Sequence, residues 1–359
     1  MPVPLFDTAA QLSQVRDELS GAIERVLDSE RFILGPEVSA FEREFADYCG
    51  AAHAVGVANG TDAITIALRA MGVGPGDEVV VPSFTFYASV EAIVPTGATP
   101  VFCDIDPHTY CVTPDTVRAA LTAKTKAAIA VHLFGNVAPV AEIAALGVPV
   151  LEDAAQAAGA ASAEGRPGAL GAAATFSFYP SKNLPCLGDG GAIVTDDEAI
   201  AELARVLRFH GSRDKVDYEA VGYNSRLDEL QAAVLRVQLP HVDEWADGRR
   251  AAEQHYRDAG LAQLARPPAR ARGAAPAWHL YVIAHPRPDD VAIALQHAQI
   301  GCRPYYRTPV HRQAPMRQWA QGLELPATEQ AAREHLAIPM SPFLTAAEAQ
   351  QVVAAIPRG

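Results

Sequence analysis

The feature that most constrains this chain is a repeated exchange between short apolar runs and longer amphipathic stretches. AHAVGVA (52–58) reads as a strand and DAITIALRAMG (62–72) as a helix. EVVVP (78–82), TPVFCD (99–104), KAAIAVHLF (126–134) and VPVLED (148–153) follow as buried strands, with helical patterns such as TPDTVRAAL (113–121) and VAPVAEIAAL (137–146) between them. A continuously apolar run of about four to eight residues fits a strand covered on both faces, and a 3.6-residue spacing fits a helix lying on it. Strands and helices in alternation predict an α/β domain with a mostly parallel sheet.

After Asp153 the pattern changes. AATFSFYP (173–180) and GAIVTD (191–196) read as two strands around a Gly-rich turn. DEAIAELARVLRFHG (197–211) is a helix, and LDELQAAVLRVQL (227–239) opens a helical region reaching about Gly260, with a break predicted at Pro240 because proline lacks the amide donor. ARPPARARGAAP (265–276) has the composition of a hinge. WHLYVIAH (278–285) alternates like a half-buried strand. A helix near 289–299, a short strand near 302–306 and a helix from Thr345 complete a small α+β unit. The expected division is 1–240, a large α/β domain with an N-terminal helical segment, and 241–359, a small C-terminal domain.

Composition narrows the function. The 359 residues carry a net charge of −13, so a general nucleic-acid surface is not expected. Five cysteines without a CxxC pair, and histidines without HExxH, predict reduced thiols and no metal site. No apolar run is long enough for a membrane span, and the start MPVPLFDTAAQ lacks the regions of a secretory signal, so a cytoplasmic location is expected.

Five segments carry polar groups where strands end. Asn59-Gly60-Thr61 lies between a strand and a helix, where free N–H groups and the helix dipole suit a phosphate; a plain helix cap would use the same residues. PSFTFYAS (82–89) places aromatics after a strand, where they either stack on a flat ligand or fill core. Asp153 ends an apolar strand, the edge at which open α/β sheets bind ligands, and a buried acid there needs a partner. Lys182, in SFYPSKNLPCLGDGG (177–191), is one of four lysines and the one between an apolar strand and a Gly-rich turn. Desolvation there would free its amine for Schiff-base chemistry, whereas Lys124, Lys126 and Lys215 sit in polar surroundings. GYNSRLD (222–228) precedes a long helix as a polar cap.

Together and in this order, ILGPEVSAFE (33–42), NGTDA (59–63), PSFTFYAS, VFCDIDPHTY (101–110), VHLFG (131–135), EDAAQAAGA (152–160), SFYPSKNLPCLGDGGAIVT (177–195) and GYNSRLDELQAA (222–233) resemble the DegT/DnrJ/EryC1/StrS family of pyridoxal-phosphate sugar aminotransferases. The resemblance spans essentially the whole chain and is weakest over 245–300. It implies an aspartate aminotransferase-like fold, type I, and a homodimer with active sites at the subunit interface. It implies that Lys182 bonds the cofactor's aldehyde, Asp153 pairs with the ring nitrogen, Gln156 meets the phenolic oxygen and Phe86 stacks on the ring. Gly60, Thr61 and Ser177 would hold the phosphate, with Asn224 reaching it from the neighbouring subunit. Arg226, Tyr306 and His311 are candidate substrate contacts. Pro185-Cys186 departs from the small residues frequent in the family after the lysine, and lysine at 182 disfavours the family's dehydratase chemistry, which uses histidine there.

The activity so implied moves an amino group from L-glutamate to a nucleotide-linked keto-sugar, with pyridoxamine phosphate as the carrier form. Gln156 and Gly188-Asp189-Gly190-Gly191 are similar to the branch that aminates C3, which points to a dTDP-3-keto-6-deoxyhexose. UDP-linked 3-keto-sugars, 4-keto-sugars and keto-cyclitols stay open, as do another pyridoxal-phosphate reaction and a non-catalytic regulatory protein on the same fold.

Overall fold

The computed structural model describes residues 2–358. Seven strands form the main sheet: β1 (His53–Val57), β2 (Glu78–Pro82), β3 (Thr99–Cys103), β4 (Thr125–Val131), β5 (Val150–Asp153), β6 (Ala173–Ser177) and β7 (Gly191–Thr195). Their order is β1-β7-β6-β5-β4-β2-β3, and only β7 runs antiparallel to its neighbours. The strand interiors are apolar because helices cover both faces, which is the usual setting of a parallel sheet. The antiparallel β6–β7 pair is the one expected around the Gly-rich turn.

Register decides what meets at the carboxyl edge. Asp153 lies opposite Val131 on one side and Thr175 on the other, and Ser177 and Val57 both lie opposite Gly191. The polar residues that end β1, β2, β5 and β6 therefore emerge along one rim, although more than a hundred residues separate the first from the last.

The helix Pro36–Cys49 packs on this sheet and is tied to the helix Glu229–Gln238 by one buried carboxylate. Glu229 accepts the N–H groups of Gly35, Glu37 and Val38 at 2.7, 2.9 and 2.9 Å. It thus satisfies donors that a helix start leaves without partners. Replacing Glu229 with alanine strands these groups, and a stability loss of about 2–4 kcal/mol is expected in urea denaturation.

The smaller C-terminal unit pairs β8 (Tyr281–Ala284) with β9 (His335–Ile338), antiparallel, under the helices Pro288–His297 and Ala346–Ala354. A large α/β domain with a smaller C-terminal domain is the expected architecture. The expected division at 240/241 falls inside a 3-10 turn, Leu239–His241, which breaks the helical region at Pro240.

Two local expectations change. The strand near 302–306 reduces to a single bridge, Arg303 to Ala337, because Pro304 has no N–H to continue a ladder. The partner of β8 is instead β9, a four-residue run too short to stand out by its pattern. The stretch 265–276 is a pinned strap rather than a free hinge. Asn136 Nδ2 donates to the Ala269 carbonyl at 2.9 Å, and its Oδ1 accepts the Ala271 N–H at 3.0 Å.

Candidate active site

A cavity of about 630 Å³ opens at the carboxyl edge of the main sheet. Eight of the candidates line it: Gly60, Thr61, Phe86, Asp153, Gln156, Ser177, Lys182 and Tyr306. Another cavity of the same volume, between 106–114 and 271–274, holds none of them.

The helix Gly60–Ala70 points its amino end into the cavity wall. Asn59 caps it by accepting the Asp62 N–H at 2.8 Å, as the plain-cap reading expected. That leaves the N–H groups of Gly60 and Thr61, which have no intrahelical acceptor, at the positive end of the helix. Glycine is required at 60, since a Cβ there would lie 2.7 Å from the Ser177 Cβ. The close approach brings the Ser177 hydroxyl to the same end.

Asp153 is buried and fixed from two sides. Ser89 donates to its Oδ2 at 2.6 Å, the Ala155 N–H donates to Oδ1 at 3.2 Å, and Thr85 lies 2.9 Å behind Ser89. Ser89 and Thr85 belong to PSFTFYAS, a segment whose sequence points to its aromatic residues. Thr85 lies in the bend before the short helix Ala88–Glu91 that carries Ser89, so the local fold of the segment and not a helical repeat brings the two hydroxyls together. The aromatics of that segment divide by position. Phe84 is core and fully buried, whereas Phe86 is 57% exposed on the cavity wall.

The Lys182 amine follows β6 on a tight turn. Burial lowers its pKa to about 8, and the Asp153 carboxylate offsets part of the fall. The amine thus exists in its neutral form closer to physiological pH than an ordinary lysine. Gln156 accepts the Phe134 N–H through Oε1 at 2.5 Å and donates through Nε2 to the Tyr306 hydroxyl at 3.3 Å, which fixes which end of its amide faces the cavity. Burial pushes the Tyr306 hydroxyl up, so it stays protonated.

His279, Tyr305 and Arg303 also line the cavity without being candidates from the sequence, although Arg303 and Tyr305 share the segment RPYYRTPVHRQ (303–313) with the candidates Tyr306 and His311. The His279 ring stacks on Phe6, with centroids 5.8 Å apart. Its Nδ1 has no hydrogen-bond partner among the described residues. Burial, and then the cations of Lys182 and Arg249, hold its pKa well below the ordinary value, so the ring is neutral.

Three candidates lie elsewhere. Asn224 and Arg226 border a neighbouring cavity of about 350 Å³ that meets the main one at Asp189, and the Arg226 guanidinium sits 5.8 Å from the Phe209 ring centroid. His311 is locked in a clasp between the two domains: Nδ1 lies 2.5 Å from the Ser83 hydroxyl, its N–H donates to the same oxygen at 3.1 Å, and Nε2 lies 3.2 Å from Glu329. Its ring does not reach the cavity lining.

The profile described as the DegT/DnrJ/EryC1/StrS aminotransferase family matches residues 13–357. A dTDP-3-amino-3,4,6-trideoxy-alpha-D-glucose transaminase from Streptomyces venezuelae is 45% identical over 99% of this chain and 95% of its own. A pleiotropic regulatory protein from Geobacillus stearothermophilus is 44% identical over 98% of this chain and 97% of its own. Among solved structures, S. venezuelae DesV in complex with a ketimine intermediate superposes with a TM-score of 0.95 at 44% identity, covering 99% of this chain and 97% of that one.

Proposed function

Because the chain belongs to the DegT/DnrJ/EryC1/StrS aminotransferase family and has its aspartate aminotransferase-like fold, we propose that it is a pyridoxal-phosphate-dependent aminotransferase acting on a nucleotide-linked keto-sugar. The observation that carries the reading is the convergence of Lys182, Asp153 and the Gly60 helix end on one cavity.

The donor set fits pyridoxal phosphate. The Gly60 and Thr61 N–H groups, the Thr61 hydroxyl and Ser177 suit the phosphate. Asp153 suits a protonated ring nitrogen, Phe86 the ring face, the Gln156 amide the phenolic oxygen, and Lys182 the aldehyde. When bound, the cofactor supplies an electron sink for the charge left as a proton leaves the donor's α-carbon. The Lys182 amine takes that proton, which it can do only in its neutral form; the fall of its pKa to about 8 serves this step. Asp153 keeps the ring nitrogen protonated and is itself held by Ser89. Ser89→Ala removes a hydrogen bond to a charged acceptor, and cofactor affinity is expected to fall by about tenfold in spectrophotometric titration.

L-glutamate is proposed as donor and a dTDP-3-keto-6-deoxyhexose as acceptor. The Streptomyces relative's substrate class and the Gln156 and Gly-Asp-Gly-Gly pattern support this choice over the UDP-linked, 4-keto and cyclitol alternatives. The intact Lys182 and Asp153 pair speaks against a purely regulatory role, despite the name of the Geobacillus relative. A homodimer is part of the proposal. Val216, Tyr218 and Val221 are 75%, 63% and 84% exposed, and Asn224 lines a neighbouring cavity and not this chain's main one, as expected if Asn224 serves a second chain. No helix among the described residues is long and apolar enough to cross a membrane. The test is formation of 2-oxoglutarate from glutamate that depends on an added nucleotide keto-sugar, with amino-sugars screened in the reverse direction. Absence of transfer with every nucleotide-sugar would overturn the substrate assignment.

A further inference from the structure

The cavity presents an electrostatic mismatch. Three aspartates, Asp62, Asp153 and Asp189, line it against two basic side chains, Lys182 and Arg303, of which only the guanidinium keeps its charge at all working pH. The proposed substrates are anions: glutamate brings two carboxylates, and a nucleotide-linked sugar brings a diphosphate. The helix end at Gly60 is claimed by the cofactor's phosphate and Lys182 by its aldehyde. One guanidinium then remains in this chain's own lining, and among the described residues no carboxylate lies within ion-pair distance of Arg303.

Arg303 is exposed yet its backbone is fixed. It exchanges two hydrogen bonds with Ala337 of β9, at 3.1 and 2.9 Å, so the small sheet holds this residue against the large domain's cavity. Its guanidinium lies 5.4 Å from the Tyr305 ring centroid. Contact with Tyr305, whose hydroxyl the guanidinium also approaches, restrains the planar fork, and the guanidinium has more N–H donors than that one contact uses, which suits binding of an oxyanion.

The geometry points to Arg303 as the residue that binds the substrate's oxyanion, a carboxylate or a diphosphate, at the open side of the cavity. The inference rests on the aminotransferase reading and adds a specificity contact to it. Arg226, the candidate arginine from the sequence, lines the neighbouring cavity instead.

Arg303→Ala and Arg303→Lys in the holoenzyme test it. Loss of a charge-assisted contact is expected to weaken binding by about 10- to 100-fold in the alanine variant, with partial recovery in the lysine variant. Two arms separate the sources. If the ligand is the diphosphate, the Kd of dTDP and UDP, measured by calorimetry, rises with the KM of the keto-sugar while the glutamate half-reaction is unchanged. If it is the donor's carboxylate, the half-saturation for glutamate rises and nucleotide affinity stays. Unchanged values in both arms, within about twofold, would refute the proposal. So would loss of the dimer in sedimentation with nucleotide and glutamate binding intact, which would assign the guanidinium to a partner's acid. Thermal unfolding of each variant confirms folding. Nucleotide binding reads Arg303 even if no transamination occurs, so failure of the activity reading and failure of this one are distinguishable.

Discussion

Lys182→Ala is expected to reduce turnover by about 10⁴-fold or more, the upper range of what a positioned acid–base group contributes, because the same amine also anchors the cofactor. The phosphate cradle at Gly60, Thr61 and Ser177 is untouched by the change, so cofactor still binds, without a covalent bond. Borohydride followed by mass spectrometry should label wild-type chain at Lys182 and leave the variant unlabelled. Full turnover in the variant would remove the basis of the proposed chemistry. The apo-chain gives a second readout. An ordinary lysine titrates near 10.4. Burial disfavours the charged ammonium, so the neutral fraction of Lys182 grows as pH rises through about 8. Labelling with an amine reagent across pH 6–11 should therefore show Lys182 reacting with a midpoint near 8. A midpoint for Lys182 near the ordinary lysine value of about 10.4 would mean that the cavity does not desolvate it.

Asp153→Asn is expected to lower kcat by about 10²- to 10³-fold, the size seen when one preorganised electrostatic partner is lost. Asparagine keeps the shape: its single oxygen can accept the Ala155 N–H, and its NH2 can donate to the Ser89 hydroxyl once that group reverses its role, so folding stability should change little. What disappears is the negative charge that keeps a ring nitrogen protonated. The checks are kcat, cofactor affinity and thermal midpoint measured on the same preparation. A kcat within about threefold of wild type would assign Asp153 to the structural cap weighed for it at the outset.

Both residues were legible in the sequence for local reasons. Asp153 ends a strand whose apolar run reaches Leu151, and a buried acid has little cause to be there unless something pairs with it. Lys182 is the lysine between a buried strand and a glycine turn. The supports of these residues were not legible. Ser89 reaches Asp153 across 64 positions of chain. His279, Tyr305 and Arg303 come from the small domain, where the run containing Arg303 and Tyr305 was itself misassigned as a strand. The split between Phe84 and Phe86 was equally hidden: two aromatics with one residue between them, one in the core and one in the cavity.

The sequence by itself determined the alternation of strands and helices, the polar strand ends and the motif order that marks the family, because each depends on neighbours along the chain. Only the tertiary structure decided which groups share a cavity. That choice follows from strand register and from the docking of β8 and β9, which bring together segments 100 to 200 residues apart through packing that no short window of sequence encodes. The same packing drew Tyr306 into the cavity and locked His311, five residues further on, into a clasp outside it.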